Sequence, residues 1–435
     1  MIWNIDGFKK AIDNGLFRPS TACYDYIDRA SFIGILDKRA CDKSHITIVD
    51  AFKELKNRMS SEYYNKVFLA QVQAMHYAGI QFPAYSMVMA EDLTEDWLAT
   101  VDFHKKHARD HSLHQPLTAY IAAELLGFGD ENKSLKIPAP PGNLLGRCVS
   151  SVFSGANYIL EFARKAGLPD SLFDKSNNNA NAYWRTTFYN TVVLSALFHD
   201  MGYPWQYVGR IDKALDRCVP LFRSTKQDAQ RIINSFGNRI VFLPFYHYMS
   251  RYNPHINKQE RLNDLICLAL NTHGFPGALS FLALNDAIRK THDGSINSKR
   301  KEITVEWAAL GILMHDMVAI HNSELWKLRI DIEKDPLSCV ICLADYLEEF
   351  DRPQVDFTAT KTTSKMRFEY ACSKVEARVD ENGDLRVSMK YNNSKQLVIA
   401  RKFKVDETLS YFNSSNGFID LSGLGIRNVV FDANV

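Results

Sequence analysis

Five short stretches of this chain carry imidazole or carboxylate groups where an apolar core would be expected. They are His111 and His114 in "RDHSLH", His199–Asp200 in "LFHDMG", His273 in "LNTHGFPGA", His315 in "ILMHD" and Asp345 in "CLADYLEEF". Each lies within or at the end of a segment that reads as a helix, where an ionisable group is costly to bury without a partner. One buried histidine is usually a hydrogen-bonded core residue. A purely structural scaffold would have to satisfy all of these groups separately. Imidazoles and carboxylates without thiolates form a mixed nitrogen and oxygen donor set. It suits one or two divalent transition metals, Mn²⁺, Fe²⁺, Ni²⁺ or Zn²⁺, and is less natural for Mg²⁺. A carboxylate beside a histidine ligand can bridge two cations, an arrangement that clamps a phosphoryl group and generates hydroxide at neutral pH.

The elements that must position these residues are mainly helical. "TTFYNTVVLSALFHDMGYP" is apolar until it reaches His199, which predicts a helix buried on most sides. Further helices are expected over 117–129, 145–167, 259–271, 276–290, 304–320 and 336–350. Polar connectors are expected at "GDENKSLKIPAPPGN", where prolines exclude regular structure, and at "DKSNNNANAY". Residues 1–100 read as a separate helical region. After Pro353 the pattern changes to period-2 alternation on both sides of "DENGD", a hairpin signal, and "QLVIARKFKV" and "NVVFD" read as further strands. The chain thus divides into 1–100, a helical domain over 101–353 with an insertion at about 127–189, and a small α+β or β-rich domain over 354–435.

Among the four histidines of "FHKKHARDHSLHQP", Pro116 argues against one uninterrupted helix and favours a new one starting near Ser112, itself a good N-cap. That separates His104 and His107 from His111 and His114. His114 has the better spacing, with Ile121 and Leu125 on the same side, and His111 is the runner-up. His292–Asp293 lies in a polar loop and reads as solvated.

The 52 basic and 50 acidic residues of the 435 leave a formal charge of +2, so net charge does not indicate a nucleic-acid partner. No apolar run is long enough to cross a bilayer, and the charged N-terminus does not read as a signal peptide. No membrane association is expected and the cytoplasm is the expected compartment. An oligomer is compatible with the sequence. Of eight cysteines only Cys339 and Cys342 have a C-x-x-C spacing, inside a segment that reads as a buried helix, so packing is the expected role. Phosphate-binding glycine loops and serine-nucleophile elbows are absent.

In the order H…HD…D, with additional histidines between, these residues resemble the HD-domain metal-dependent phosphohydrolases. "LSALFHDMGYP" looks like the central motif of that family and "DPLSCVICLADYLEEFDRP" like its last helix. "LNTHGFPGALSFL" and "AALGILMHD" are similar to the helices that bring the extra histidines. The resemblance covers roughly residues 104–126 and 190–352. It implies an HD-type helical bundle in which His111 or His114 is the first ligand, His199 and Asp200 the central pair and Asp345 the last ligand. His273 and His315 would serve a second metal. It further implies that Asp200 and His273 take part in catalysis on a nucleotide or other phosphorylated small molecule. Arg109, Arg210 and Lys213 are candidate phosphate contacts.

Two departures stand out. His114 and His199 are 85 residues apart, and Tyr203 follows the glycine turn where many members carry Lys or His. A second frame, His273, His315–Asp316 and Asp345, stays open; the first is preferred because "HDMG" ends in a glycine turn and "HDMV" does not. The alternative function is a non-catalytic HD-like sensor of a metal or nucleotide.

Overall fold

The computed structural model describes residues 1–14, 16, 111–203, 226–252, 254–289, 295–323, 325–350, 372–392, 394–412 and 416–435. Arg109, Arg210, Lys213, His104, His107 and the pair His292–Asp293 lie outside the described residues, as does most of the N-terminal hundred. The fold is mainly helical with a small sheet formed largely by C-terminal residues.

In chain order, strand β1 (Ile2–Trp3) and helix α1 (Ile5–Asp13) are followed by α2 (His111–Leu125), α3 (Leu144–Val152), α4 (Tyr158–Lys165) and α5 (Asn178–Phe198). Then come α6 (Lys226–Phe236), α7 (Leu243–Ser250), α8 (Lys258–Ala269), α9 (Gly274–Arg289), α10 (Ile296–Met314) and α11 (Val318–His321). Strand β2 (Ile330–Asp331) precedes α12 (Pro336–Leu347). The C-terminal region consists of β3 (Cys372–Val379), β4 (Leu385–Tyr391), α13 (Ser394–Phe412), β5 (Ile419–Asp420) and β6 (Val429–Asn434).

Four helices position the histidines. The central helix α5 packs against α2 on one side and α10 on another, α9 lies along α10, and α12 closes over α2, α5 and α10. Helix α5 is buried along nearly its whole last half, from Phe188 to Phe198, as its unbroken apolar run predicts. Aromatic contacts lock it to α10: Trp307 meets Trp184 edge-on with centroids 6.2 Å apart and Phe188 at 5.2 Å. All three side chains are fully buried. Truncating Trp307 to Ala would cost about 3–5 kcal/mol, the usual range for an aromatic core residue.

Several boundaries differ from the sequence expectation, each for a local reason. The segment expected at 145–167 is two helices, α3 and α4, because the chain reverses through Gly155 in a left-handed conformation. Part of the linker expected at 174–183 is helical. Asn177 caps α5, its side chain accepting from Asn179 N–H, so the asparagine run marks a helix start. Helix α10 begins earlier than expected, at Ile296, under a Ser295 cap. Helix α2 runs from His111 and already includes Ser112, so Ser112 does not cap it; Pro116 sits inside and cannot donate to the Ser112 carbonyl.

The largest correction is "QLVIARKFKV", expected as a strand and found in α13. Its inward face repeats every seven residues, with Leu397, Lys404 and Tyr411 all at least partly buried. A charged residue in the middle of that face hides the helical period. The hairpin expectation holds: β3 and β4 pair antiparallel across the turn at Asp380–Gly383. Gly383 N–H donates to Asp380 O, and the φ of 79° at Gly383 supplies the left-handed residue this three-residue connection needs. The sheet order is β1-β3-β4-β6, with β1 antiparallel to β3 and β6 parallel to β4. The strand at "NVVFD" is therefore present. The chain's second and third residues complete this sheet as its edge strand β1.

No single helix among the described residues is long and apolar enough to cross a membrane. The pair formed by α8 and the start of α9 is apolar enough in combination but bends by 92°.

Candidate metal centre

The residues that converge are His114, His199, Asp200, His273, His315 and Asp345. His199 and His315 occupy equivalent places, each the residue that ends a buried helix, α5 and α10 respectively. In each, Nδ1–H donates to the carbonyl three residues back, Ala196 O at 2.8 Å and Ile312 O at 2.7 Å. That bond fixes the tautomer and aims the Nε2 lone pair out of the helix end. The negative ends of two helix dipoles point the same way, which favours a cation there.

His114, on the second turn of α2, has its Nδ1 2.6 Å from Glu348 Oε2, and both side chains are fully buried. Its Nε2 lies 3.2 Å from His199 Nε2, 3.0 Å from Asp345 Oδ1 and 3.5 Å from Asp200 Oδ2. His199 Nε2 is 3.3 Å from the same Asp200 oxygen and 3.9 Å from Asp345 Oδ1. On the other side, His273 Nε2 and His315 Nε2 are 2.9 Å apart. They lie 3.2 and 3.3 Å from Asp200 Oδ1. Asp200 thus offers one oxygen to each pair of histidines.

These spacings pass a simple test of fit. A cation about 2.1 Å from each donor, the usual bond length to imidazole nitrogen or carboxylate oxygen, leaves adjacent donors roughly 3.0–3.4 Å apart. Nearly all of these separations fall at or close to that value. His114, His199 and Asp345 form one group able to hold a metal ion, and His199, Asp200 and His315 another. The donors are nitrogen and oxygen only. Nothing in the site selects one transition metal.

Asp316, a ligand in the second frame, takes a different place. Its Oδ2 accepts from the backbone N–H of His273 at 2.8 Å and of Gly274 at 3.3 Å, covering the N-terminus of α9. The same oxygen lies 3.0 Å from His273 Nδ1. It therefore backs His273 and does not face the cluster.

Burial drives the pKa of His199 down to about 3, which keeps it neutral and able to coordinate. Burial also works against protonation of His273, but the carboxylates of Asp316 and Asp200 outweigh it and push the pKa up to about 10. Asp316 is held below its usual value despite burial, chiefly by the charge of His273. A cation entering the second half must displace the His273 proton.

Gly202 explains why the turn after Asp200 must be glycine. A Cβ there would stand 1.8 Å from the carbonyl oxygen of His273 and 2.6 Å from Gly277 N. Backbone meets backbone, which brings the His199–Asp200 corner onto the start of α9. Tyr203 next lies flat on the His273 imidazole, with centroids 3.8 Å apart and planes at 11°.

Other sequence candidates fall elsewhere. His321 is buried away from the cluster, its ring nitrogens 3.0 Å from Leu328 O and Asn416 O. Cys339 and Cys342 pack within α12, their thiols pushed up by burial, in line with the packing role. His111 belongs to the first turn of α2, but its side chain lies outside the described part of the structure; His114 is among the described donors. Sequence reasoning missed Glu348. Its signal was present in "ADYLEEF", where the residue stands three positions after Asp345 and so shares its side of the helix end.

No protein-family model, curated protein or solved structure matches the chain.

Proposed function

We propose that the chain is a metal-dependent phosphohydrolase of the HD type, hydrolysing a nucleotide or another phosphoester or phosphodiester. The observation that carries this reading is the division of Asp200 between two pairs of histidine nitrogens. A bridging carboxylate with imidazoles on either side is the donor set a two-cation phosphoryl-transfer site requires. His114, His199 and Asp345 would hold one cation, His273 and His315 the other, with Asp200 shared. When bound, the cations would supply Lewis acidity to the phosphoryl oxygens and lower the pKa of the attacking water.

The chain's own residues prepare that chemistry. The backbone carbonyls of Ala196 and Ile312, with the carboxylates of Glu348 and Asp316, hold the four imidazoles so that no ring rotation is needed on binding. The side chains of Asp345 and Asp316 are 15% and 17% exposed, whereas His114 and His199 are fully buried. A substrate would therefore reach the cluster from the side of Asp345, the most exposed of the six converging residues. Arg109, Arg210 and Lys213 remain the proposed phosphate contacts.

The decisive experiment combines metal analysis of the purified protein with a panel of nucleotides and phosphodiesters, alongside a His199→Ala/Asp200→Ala variant. Bound transition metal and metal-stimulated turnover, both lost in the variant, are expected. Protein without metal and without metal-stimulated turnover would overturn the reading. One observation favours a second reading, a non-catalytic sensor: Tyr203 covers a ligand histidine where many family members carry a Lys or His able to assist catalysis. Metal retention with no turnover across the panel is the outcome that reading expects.

A further inference from the structure

Beyond the ligands themselves, the side of the cluster built by His114 and Asp345 is held from the C-terminal region. Glu348 is gripped at both carboxylate oxygens. Oε2 faces His114 Nδ1 at 2.6 Å, and Oε1 accepts from Phe350 N–H at 2.7 Å. Its own N–H donates to Ala344 O and Asp345 O as α12 ends. The next residue, Glu349, is 3.0 Å from Lys404 Nζ on α13. Lys404 is only 1% exposed. It also donates to Tyr346 O at 2.6 Å, pairs with Glu407 at 2.8 Å and lies 4.4 Å from the centroid of the Tyr346 ring. Thr408 adds a hydroxyl contact to Tyr346 at 2.6 Å. Of the four residues after Asp345, then, 346 and 349 are held by α13 and 348 is fixed to His114. A fully buried lysine is retained only where carboxylates compensate its desolvation, and that compensation ties the end of α12 to α13.

We propose that Glu348 is a positioning residue for His114, and that α13, through Lys404 and Glu349, sets the placement of Glu348 and Asp345 and hence the affinity of the His114 half of the cluster. This inference rests on the two-cation reading of the site. A carboxylate that accepts the Nδ1 proton raises the basicity of the Nε2 lone pair and stops the ring from turning. Because Asp345 and Glu348 sit on one helix end, a shift of that end moves a direct ligand and the support of another together. The C-terminal region is thereby part of the centre, though it contributes none of the six converging donors.

The test uses the full-length protein loaded with Co²⁺. The dissociation constants of the bound ions and their visible absorption bands are measured by competition with a chelator. Glu348→Gln is expected to weaken one ion about 10- to 100-fold and alter its band, with the other ion unchanged. The paired substitution Glu349→Gln/Lys404→Met removes both charges together, which avoids leaving one buried alone. It is expected to weaken the same ion roughly 2- to 30-fold. Lys404→Arg, which keeps the charge, is expected to recover most of the affinity. Wild-type protein that binds two ions, with Glu348→Gln identical to it in constants and spectrum, would overturn this inference alone. So would a folded paired variant with wild-type constants. Wild-type protein that binds no Co²⁺ would overturn the two-cation reading and this inference with it.

Discussion

The two His–Asp corners of the molecule start alike and end differently. At the ends of α5 and α10 the same dipeptide terminates a buried apolar run, and His199 and His315 donate Nδ1–H to the carbonyl three residues back in the same way. The aspartates then diverge. Asp200 turns into the cluster and divides its oxygens between two histidine pairs, whereas Asp316 turns onto the N-terminus of α9 and supports His273. The difference arises from the residues just after each dipeptide. Gly202 lets the α5 corner press against the carbonyl of His273, while the α10 corner continues through Met317 into α11. A local motif thus places the imidazole, and the contact beyond it decides what the carboxylate does.

This comparison can be broken most sharply at the aspartates. Asp200→Asn should abolish binding of both cations, seen as loss of bound metal by elemental analysis; retention of either ion would show that the carboxylate is not shared. Asp316→Asn should weaken only the ion on the His273 and His315 side, by about 10- to 100-fold, because it removes support and not a ligand. Equal losses at both ions would make the two corners equivalent after all. Gly202→Ala should cost stability, about 1–3 kcal/mol or more, because the added methyl meets backbone that cannot give way. A thermal melt unchanged from wild type would remove the glycine contact as the cause of the divergence.

The gentlest probe is pH. In metal-free protein the pKa of His273 is raised from its ordinary 6.5 to about 10. Its contribution to stability is therefore complete below 6.5 and is lost as pH rises through 10. The melting temperature of metal-free protein should decline over that window, and decline less in Asp316→Asn. An identical slope in the two proteins would mean that Asp316 does not hold the proton.

Much of the helical framework was legible because apolar runs of helical length leave few alternatives. The apolar segment before His199 and the one before His315 read as buried helices, and both are. The misleading signals were local: Lys404 interrupting the buried face of α13, and asparagines that cap α5 while resembling a linker. The cluster was legible as a set of residue types and much less as an arrangement. "HDMG" and "HDMV" differ by one decisive residue, and only the glycine pointed to Asp200. Glu348 was hidden because its spacing from Asp345 marks only a shared helix side, and nothing local says that His114, 234 residues away, packs against it.

The sequence by itself determined the inventory: four histidines and two aspartates on buried helix ends, nitrogen and oxygen donors only, and a hairpin near the C-terminus. The structure adds the two imidazole tautomers, through bonds that span only three residues. Only the tertiary structure decided which aspartate reaches both histidine pairs, which one supports His273, and that His114 is backed by a carboxylate 234 residues away. The physical reason is range. Tautomers and caps are set by bonds within a single turn, whereas a shared ligand set exists only when helices distant in sequence are packed closely enough for their donors to reach a common point.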